Sequence, residues 1–168
     1  TEYRETVIVR RLGAIEASKV GAIASLIRSV GPFSMQTPHT GNMAYEDGVK
    51  KIPHAALSLE DAEMLARMQA RGEKLKINLK MEAHNLPDGY SRNVIADIPG
   101  TEHPEQIIIV SGHIDSWDVG QGAMDDGGGC VASWEAARLM LKLGLKPRRT
   151  VRVVLWTNEE NGIRGAKE

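Results

Sequence analysis

Two apolar, strand-like segments on either side of a helix-like segment constrain the fold more than any other feature. Residues 106–110 (QIIIV) are almost uniformly apolar, which predicts a central strand covered on both faces. Residues 150–156 (TVRVVLW) are rich in β-branched side chains, which also favour a strand. Residues 127–143 between them have a helix-like pattern, and Gly144 is placed to end that helix. Strand, helix and strand in this order predict a right-handed crossover, so we expect an α/β fold with a mainly parallel, mixed sheet and helices.

The first half of the chain predicts a smaller α/β unit. Residues 11–20 are a plausible helix, and residues 22–27 (AIASLI) are compatible with either a strand or more helix. Residues 31–51 are rich in Gly, Pro, Thr, His and Asn, so we predict a long loop there. Ser58 then resembles the N-terminal cap of a second helix, with Asp61 completing a capping box.

An alternating segment marks the start of the second half. Residues 75–83 alternate apolar and polar side chains, which predicts a strand with one buried face. A turn signal at residues 87–89 separates it from residues 93–98, the expected antiparallel partner strand. We therefore place a domain boundary before this hairpin, with a first domain at residues 1–73 and a second at residues 74–168.

Composition and charge exclude several classes of function. Hydrophobic residues make up 42% and charged residues 26% of the chain, as in soluble globular proteins. The net charge is −1, so no field of one sign is available to attract nucleic acid or an anionic membrane. Apolar runs such as Ile107–Val110 are far too short to span a bilayer. Cys130 is the single cysteine, which excludes an internal disulfide and predicts a small buried side chain rather than a nucleophile.

Imidazole and carboxylate side chains follow both predicted strands of the second half. His113 and Asp115 come after the first strand, and Glu159 and Glu160 come after the second. Asp125 lies in the glycine-rich loop between the first strand and the helix. Ligands of open α/β sheets gather beyond the carboxyl ends of the strands, so we expect these five side chains to converge. Histidine nitrogen and carboxylate oxygen are suitable zinc ligands.

The five side chains divide into metal ligands and catalytic groups. Two zinc ions about 3.5–4 Å apart need a bridging carboxylate, and Asp125 on its flexible loop suits that role. His113 and Glu160 can each serve one of the two metals. Asp115 is close enough in sequence to orient His113 by accepting a hydrogen bond. Glu159, adjacent to a ligand, is free to take a proton from the attacking water.

Simpler interpretations hold for neighbouring residues. We predict that Asp126 caps the helix that follows it and does not bind metal. The glycine-rich segment 120–129 is not a phosphate-binding loop, because Asp125 stands where the third glycine belongs and no Gly-Lys-Ser/Thr occurs. Four histidines without ligand-like partners at useful spacing are predicted to be ordinary polar residues: His39, His54, His84 and His103.

Two segments resemble a known family of enzymes. Residues 112–129 (GHIDSWDVGQGAMDDGGG) and 155–160 (LWTNEE) are similar to the co-catalytic two-zinc peptidases, which include bacterial aminopeptidases and glutamate carboxypeptidases. The resemblance runs over nearly the whole chain. It implies a truncated zinc-peptidase sandwich at residues 74–168, preceded by part of a protease-associated cap domain at residues 1–73.

The resemblance also implies roles for the five residues. One zinc would bind His113 and the other Glu160, with Asp125 between them, Glu159 as general base and Asp115 steadying His113. The implied activity is hydrolysis of dipeptides and short peptides by a homodimer in a secreted or lysosomal setting. The family has a later Asp and a later His that complete the two metal sites, and neither position exists in these 168 residues. We therefore expect the chain alone to be inactive.

Two other functions stay open at this point. A glutaminyl cyclase-like enzyme would use one zinc for intramolecular acyl transfer on the same fold, although the cap-like first half argues against it. A receptor-like binding module would have lost its zinc ligands, whereas every ligand position within this chain holds a competent residue. One zinc ion per full-length chain would support the cyclase, and the later Asp and His positions decide between an enzyme and a binding module.

Overall fold

The computed structural model describes residues 2–31, 35–117 and 120–168. Their contacts divide the chain into two compact units, Thr1–Leu86 and Pro87–Glu168. The division falls after the predicted boundary at residue 73, so that residues 74–86 group with the first unit.

The first unit contains a two-stranded parallel sheet. Strand β1, Ser25–Arg28, lies beside strand β2, His54–Leu57, with Ser25 opposite His54. The sequence of residues 22–27 is compatible with a strand or a helix. In the structure, residues 25–27 belong to strand β1.

Two helices complete the first unit. Helix α1, Glu2–Lys19, extends well before the predicted start at residue 11. Helix α2, Leu59–Ala70, begins after Ser58, whose hydroxyl accepts a hydrogen bond from the backbone N–H of Asp61 at 3.0 Å. This bond satisfies one of the free N–H groups in the first turn, and it confirms the predicted N-cap. In the described part of the chain, no helix combines the length and the hydropathy that a membrane crossing requires.

His54 is a core residue of the first unit. It is 9% exposed, and its Nε2 lies 3.0 Å from the backbone oxygen of Arg10. Gly13 makes room for the ring, because a Cβ at this position would lie 2.9 Å from His54 Cε1. These contacts agree with the prediction that His54 is an ordinary polar residue.

The second unit is built on a three-stranded mixed sheet. Strands β3 (Val94–Ile98), β4 (His103–His113) and β5 (Arg149–Trp156) occur in the spatial order β3-β5-β4. β4 and β5 are parallel, whereas β3 runs antiparallel to β5. Helix α3, Gly128–Lys142, lies between β4 and β5 in the chain and packs on both of them. The predicted α/β class, with a mixed sheet and helices, is confirmed.

β5, and not β4, is the central strand of this sheet. Val151, Val153 and Val154 of β5 are buried, whereas Ile108 and Ile109 of β4 are 48% and 54% exposed. The prediction that residues 106–110 are covered on both faces is therefore wrong for this chain. The described residues supply three strands and one long helix to this unit, which is too little to cover both faces of the sheet.

The predicted strand at residues 75–83 is also wrong. Residues 73–93 form neither helix nor strand, and Ile77 is 52% exposed. β3 does form in the predicted place, but it pairs with β5 rather than with residues 75–83. An alternating pattern favours a strand only where a neighbouring strand is available to pair with it, and β3, the expected partner, pairs with β5 instead.

Candidate metal centre

Three side chains with metal-binding atoms converge at one edge of the second unit's sheet. One ligand atom from each of His113, Asp125 and Glu160 lies within 4.8 Å of the others. The parallel register places His113 at the end of β4 opposite Trp156 at the end of β5, so Glu160 follows only a short segment later. Asp125 comes from the irregular turn Ala123–Gly127 that leads into α3. The expected convergence of these three residues thus follows from the parallel pairing.

Both ring nitrogens of His113 have close oxygen partners. Nδ1 lies 2.9 Å from the backbone oxygen of Asp115, and Nε2 lies 2.9 Å from Oδ1 of Asp125. A carbonyl oxygen only accepts, so Nδ1 carries a hydrogen. A neutral ring then directs the lone pair of Nε2 at a carboxylate oxygen. Two electron-rich atoms at this distance need a proton or a metal cation between them.

The pKa shifts at this site reflect its concentration of negative charge. Burial lowers the pKa of His113, but the hydrogen bonds to Asp115 and Asp125 and the nearby carboxylates outweigh burial and raise it overall. The pKa of Glu160 is raised, first by burial and then by the charge of Asp125. Either a proton or a divalent cation relieves the same repulsion among these carboxylates.

Asp115 uses its side chain differently from the sequence-based expectation. Its carboxylate accepts hydrogen bonds from the backbone N–H of Glu159 at 3.0 Å and of Glu160 at 3.2 Å. Asp115 Oδ1 lies 3.5 Å from His113 Nδ1, which is longer than the 2.9 Å to the backbone oxygen of Asp115. Asp115 therefore orients His113 through its backbone and the two glutamates through its side chain.

Glu159 lies beside the three converging side chains. Its Oε2 is 3.8 Å from His113 Nε2, which is too long for a direct hydrogen bond. The side chain is 35% exposed, so water has access to the carboxylate. The two adjacent glutamates therefore differ in their placement. Glu160 is one of the three converging side chains, and Glu159 lies beside them.

Asp126 links the end of β4 to the start of α3. Its Oδ2 accepts from the backbone N–H of His113 at 3.0 Å, and its Oδ1 accepts from the backbone N–H of Gly129 at 2.9 Å. Glycines make room for this carboxylate, because a Cβ at Gly112 would lie 2.8 Å from Asp126 Oδ2 and one at Gly129 would collide with the same group. Asp126 therefore bonds a backbone N–H in the first turn of α3, as predicted, although the residue directly before the helix is Gly127. The bond to His113 was not predicted, because it depends on where β4 ends relative to the loop.

The thiol of Cys130 contacts the backbone of His113 and is not activated as a nucleophile. It donates to the backbone oxygen of His113, with the atoms 3.0 Å apart. Burial, followed by the charge of Asp126, raises the pKa of the thiol and keeps it protonated. These contacts agree with a packing role.

Comparisons with known proteins agree with this architecture. Residues 93–168 match the family model described as peptidase family M28. The chain is 61% identical to carboxypeptidase Q of Xenopus laevis over 166 residues, which are 99% of this chain and 35% of that protein. It is 59% identical to carboxypeptidase Q of Homo sapiens over 164 residues, with 98% of this chain and 35% of that protein covered.

A solved structure shows the same fold. The crystal structure of a peptidase M28 precursor from Shewanella amazonensis SB2B matches with a TM-score of 0.93 at 41% identity, over 98% of this chain and 37% of that chain. The chain thus spans about a third of the length of the curated relatives it matches. Residues 93–168 thus match peptidase family M28, and over nearly its whole length the chain is similar to the carboxypeptidases Q.

Proposed function

We propose that this chain is part of a zinc-dependent exopeptidase that hydrolyses dipeptides and short peptides. The convergence of His113, Asp125 and Glu160 within 4.8 Å is the observation that carries the proposal. Similarity to proteins named carboxypeptidase Q supports the reaction class. Because the chain spans about 35% of those relatives, the activity is proposed for the full-length protein.

The donor set fits zinc. One imidazole and two carboxylates are ligands that zinc commonly binds, and the hydrogen on Nδ1 leaves Nε2 of His113 as the donor atom. The Asp125 side chain is 80% exposed, which leaves room for it to bridge two ions. His113 would hold one ion and Glu160 the other, and Asp125 would contribute to both. Bound zinc supplies Lewis acidity that polarises the scissile carbonyl.

Glu159 acts as the general base in this proposal. Its carboxylate removes a proton from a water molecule, and the oxygen of that water attacks the peptide carbonyl carbon. The carbon–nitrogen bond then breaks, and Glu159 transfers the proton to the leaving amine. The two carboxylate oxygens of Asp115 bind the backbone N–H groups of Glu159 and Glu160. They fix the position of the general base, Glu159, relative to the ligand Glu160.

The test compares Glu159→Gln with the parent in the full-length protein. We expect kcat for dipeptide hydrolysis to fall by about 10²–10⁴-fold, because an amide cannot accept the proton, while zinc content stays unchanged. Glu5→Gln, an exposed change on α1, is the matched control and should leave both quantities as in the parent. Normal hydrolysis by Glu159→Gln would contradict the role of Glu159. One zinc per chain with acyl-transfer activity would favour a cyclase, and no zinc would favour a binding module.

The domain assignment, the assembly state and the cellular location are also proposals. We propose that residues 1–73 are part of a protease-associated cap and that residues 74–168 begin the catalytic domain. The match of residues 93–168 to the peptidase family is consistent with the second half. A homodimer and a secreted or lysosomal setting rest on the resemblance alone. Light scattering of the full-length protein and fractionation of cells that express it test these two points.

A further inference from the structure

The two glutamates lie in a loop whose ends meet. We call residues 157–165 the acidic loop. The backbone N–H of Gly165 donates to the oxygen of Thr157 at 3.0 Å, and that of Arg164 donates to the oxygen of Asn158 at 3.0 Å. The loop is therefore closed at its base, directly after the end of β5.

One side-chain amide bonds both ends of this loop. Asn93 immediately precedes β3, and its Oδ1 accepts from the backbone N–H of Thr157 at 3.0 Å. Its Nδ2 donates to the backbone oxygen of Gly165 at 2.7 Å. Gly165 is buried, and a Cβ there would lie 2.5 Å from Asn93 Oδ1 and would collide with the Thr157 oxygen. The arrangement therefore requires glycine at position 165.

The acidic loop is thus held at two places. Asp115 binds the backbone N–H groups of Glu159 and Glu160, and Asn93 binds the base of the loop. Asn93 adjoins Val94, which pairs with Leu155 across the antiparallel β3–β5 ladder. The sheet therefore sets the position of Asn93, and Asn93 in turn sets the position of the loop.

We propose that Asn93 is a positioning residue that places Glu159 and Glu160 relative to His113. The inference rests on the proposed function, because it assigns a purpose to the position of these glutamates. Its described hydrogen bonds go to Thr157 and Gly165, so Asn93 acts through the loop backbone. An amide suits the task because it presents one acceptor and one donor, whereas a carboxylate only accepts.

Two variants of the full-length protein separate the contribution of the hydrogen-bond donor of Asn93 from that of its acceptor. Asn93→Asp keeps the acceptor for Thr157 and removes the donor for Gly165, and Asn93→Leu removes both at similar volume. We expect Asn93→Leu to lower zinc affinity by about 10–100-fold, the range typical for groups that orient metal ligands. At saturating zinc, kcat for a dipeptide should fall by about tenfold or more while KM changes by less than about twofold, because the base is displaced and not the substrate site. Asn93→Asp should show smaller effects in the same direction.

Hydrogen exchange at the backbone N–H of Thr157 and Gly165 provides a readout without catalysis. Exchange should become faster at both groups in Asn93→Leu, whereas in Asn93→Asp, which keeps the acceptor for Thr157, it should become faster mainly at Gly165. Asn78→Asp, at an exposed position outside the loop, adds the same charge and should match the parent in all measurements. If Asn93→Leu does not fold, Asn93→Asp carries the test, because it preserves the bond to Thr157.

The outcomes distinguish this inference from the proposed function. Faster exchange with unchanged zinc affinity and kcat would make Asn93 a stability residue only and would overturn its positioning role. Unchanged exchange would overturn the role as well. A parent protein that binds no zinc and hydrolyses no peptide would contradict the proposed function itself, and with it the purpose assigned to Asn93.

Discussion

At the scale of single residues, the junction of β4 and α3 depends on one carboxylate in a space that glycines leave open. Asp126 accepts backbone hydrogen bonds from His113 and Gly129, and side chains at Gly112 or Gly129 would displace it. The carboxylate fixes the backbone of a candidate metal ligand and caps a helix at the same time. Asp126 is not one of the three converging side chains, but its carboxylate helps to set the position of His113, which is.

Removing this carboxylate should destabilise the protein. Asp126→Ala deletes a helix cap and leaves the N–H of His113 without its partner, so we expect a loss of about 2 kcal/mol in the free energy of unfolding. Urea denaturation of the full-length protein measures the change, with the exposed Asp47→Ala as control. A loss no greater than that of the control would show that other groups satisfy these two N–H groups.

At the scale of secondary-structure elements, the antiparallel β3–β5 pair is joined by a cross-strand ion pair. Asp97 lies opposite Arg152 in the register, and the two side chains form two hydrogen bonds of 2.7 Å. The hydrogen bonds with Arg152 lower the pKa of Asp97 below its usual 3.8. The pair is at the surface, so its contribution to stability is small and sensitive to salt.

This ion pair should give a stability difference that depends on pH. A carboxyl group with a lowered folded-state pKa contributes stability above its unfolded pKa of 3.8 and loses it as the pH falls through the lower folded value. Asp97→Asn should therefore be less stable than the parent at pH 6, and the difference should disappear as the pH falls below 3.8. Thermal unfolding at several pH values measures it. A difference that persists at the lowest pH would assign the effect to packing instead.

At the scale of the whole molecule, apolar surface remains uncovered on the second unit. Ile107, Ile108 and Ile109 of β4 are about half exposed, and Trp134 and Leu141 of α3 are also exposed. Exposed apolar patches of this kind mark surfaces that normally contact other protein. The chain covers about 35% of the length of its curated relatives.

The 168-residue chain alone should behave differently from the full-length protein. We expect it to bind a hydrophobic dye, to self-associate through β4, and to bind zinc at least about tenfold more weakly, because catalytic zinc usually has about three protein ligands. Dye fluorescence, light scattering and competition titration with a chelator measure these properties. Equal zinc affinity for the two proteins would show that His113, Asp125 and Glu160 suffice as ligands.

The sequence by itself determined the features that depend on local spacing. Helix α3, strand β5 and the Ser58 cap were predictable because each one is encoded by neighbouring residues. The candidate ligands and their order along the chain were predictable for the same reason. They follow the ends of strands that the apolar segments of the sequence predict. Residues 75–83 are the exception, because their alternating pattern predicts a strand, but the expected partner strand β3 pairs with β5 instead.

Only the tertiary structure decided which distant groups share a hydrogen bond. The carboxylate of Asp115 binds backbone groups 44 and 45 residues later, and Asn93 binds the acidic loop 64 and 72 residues later. The edge position of β4 likewise depends on which strands pair. Each of these contacts joins a side chain to a distant backbone atom, whose position depends on strand register. No spacing in the sequence records them, and only the folded chain brings Glu159 and the candidate metal ligands into one place.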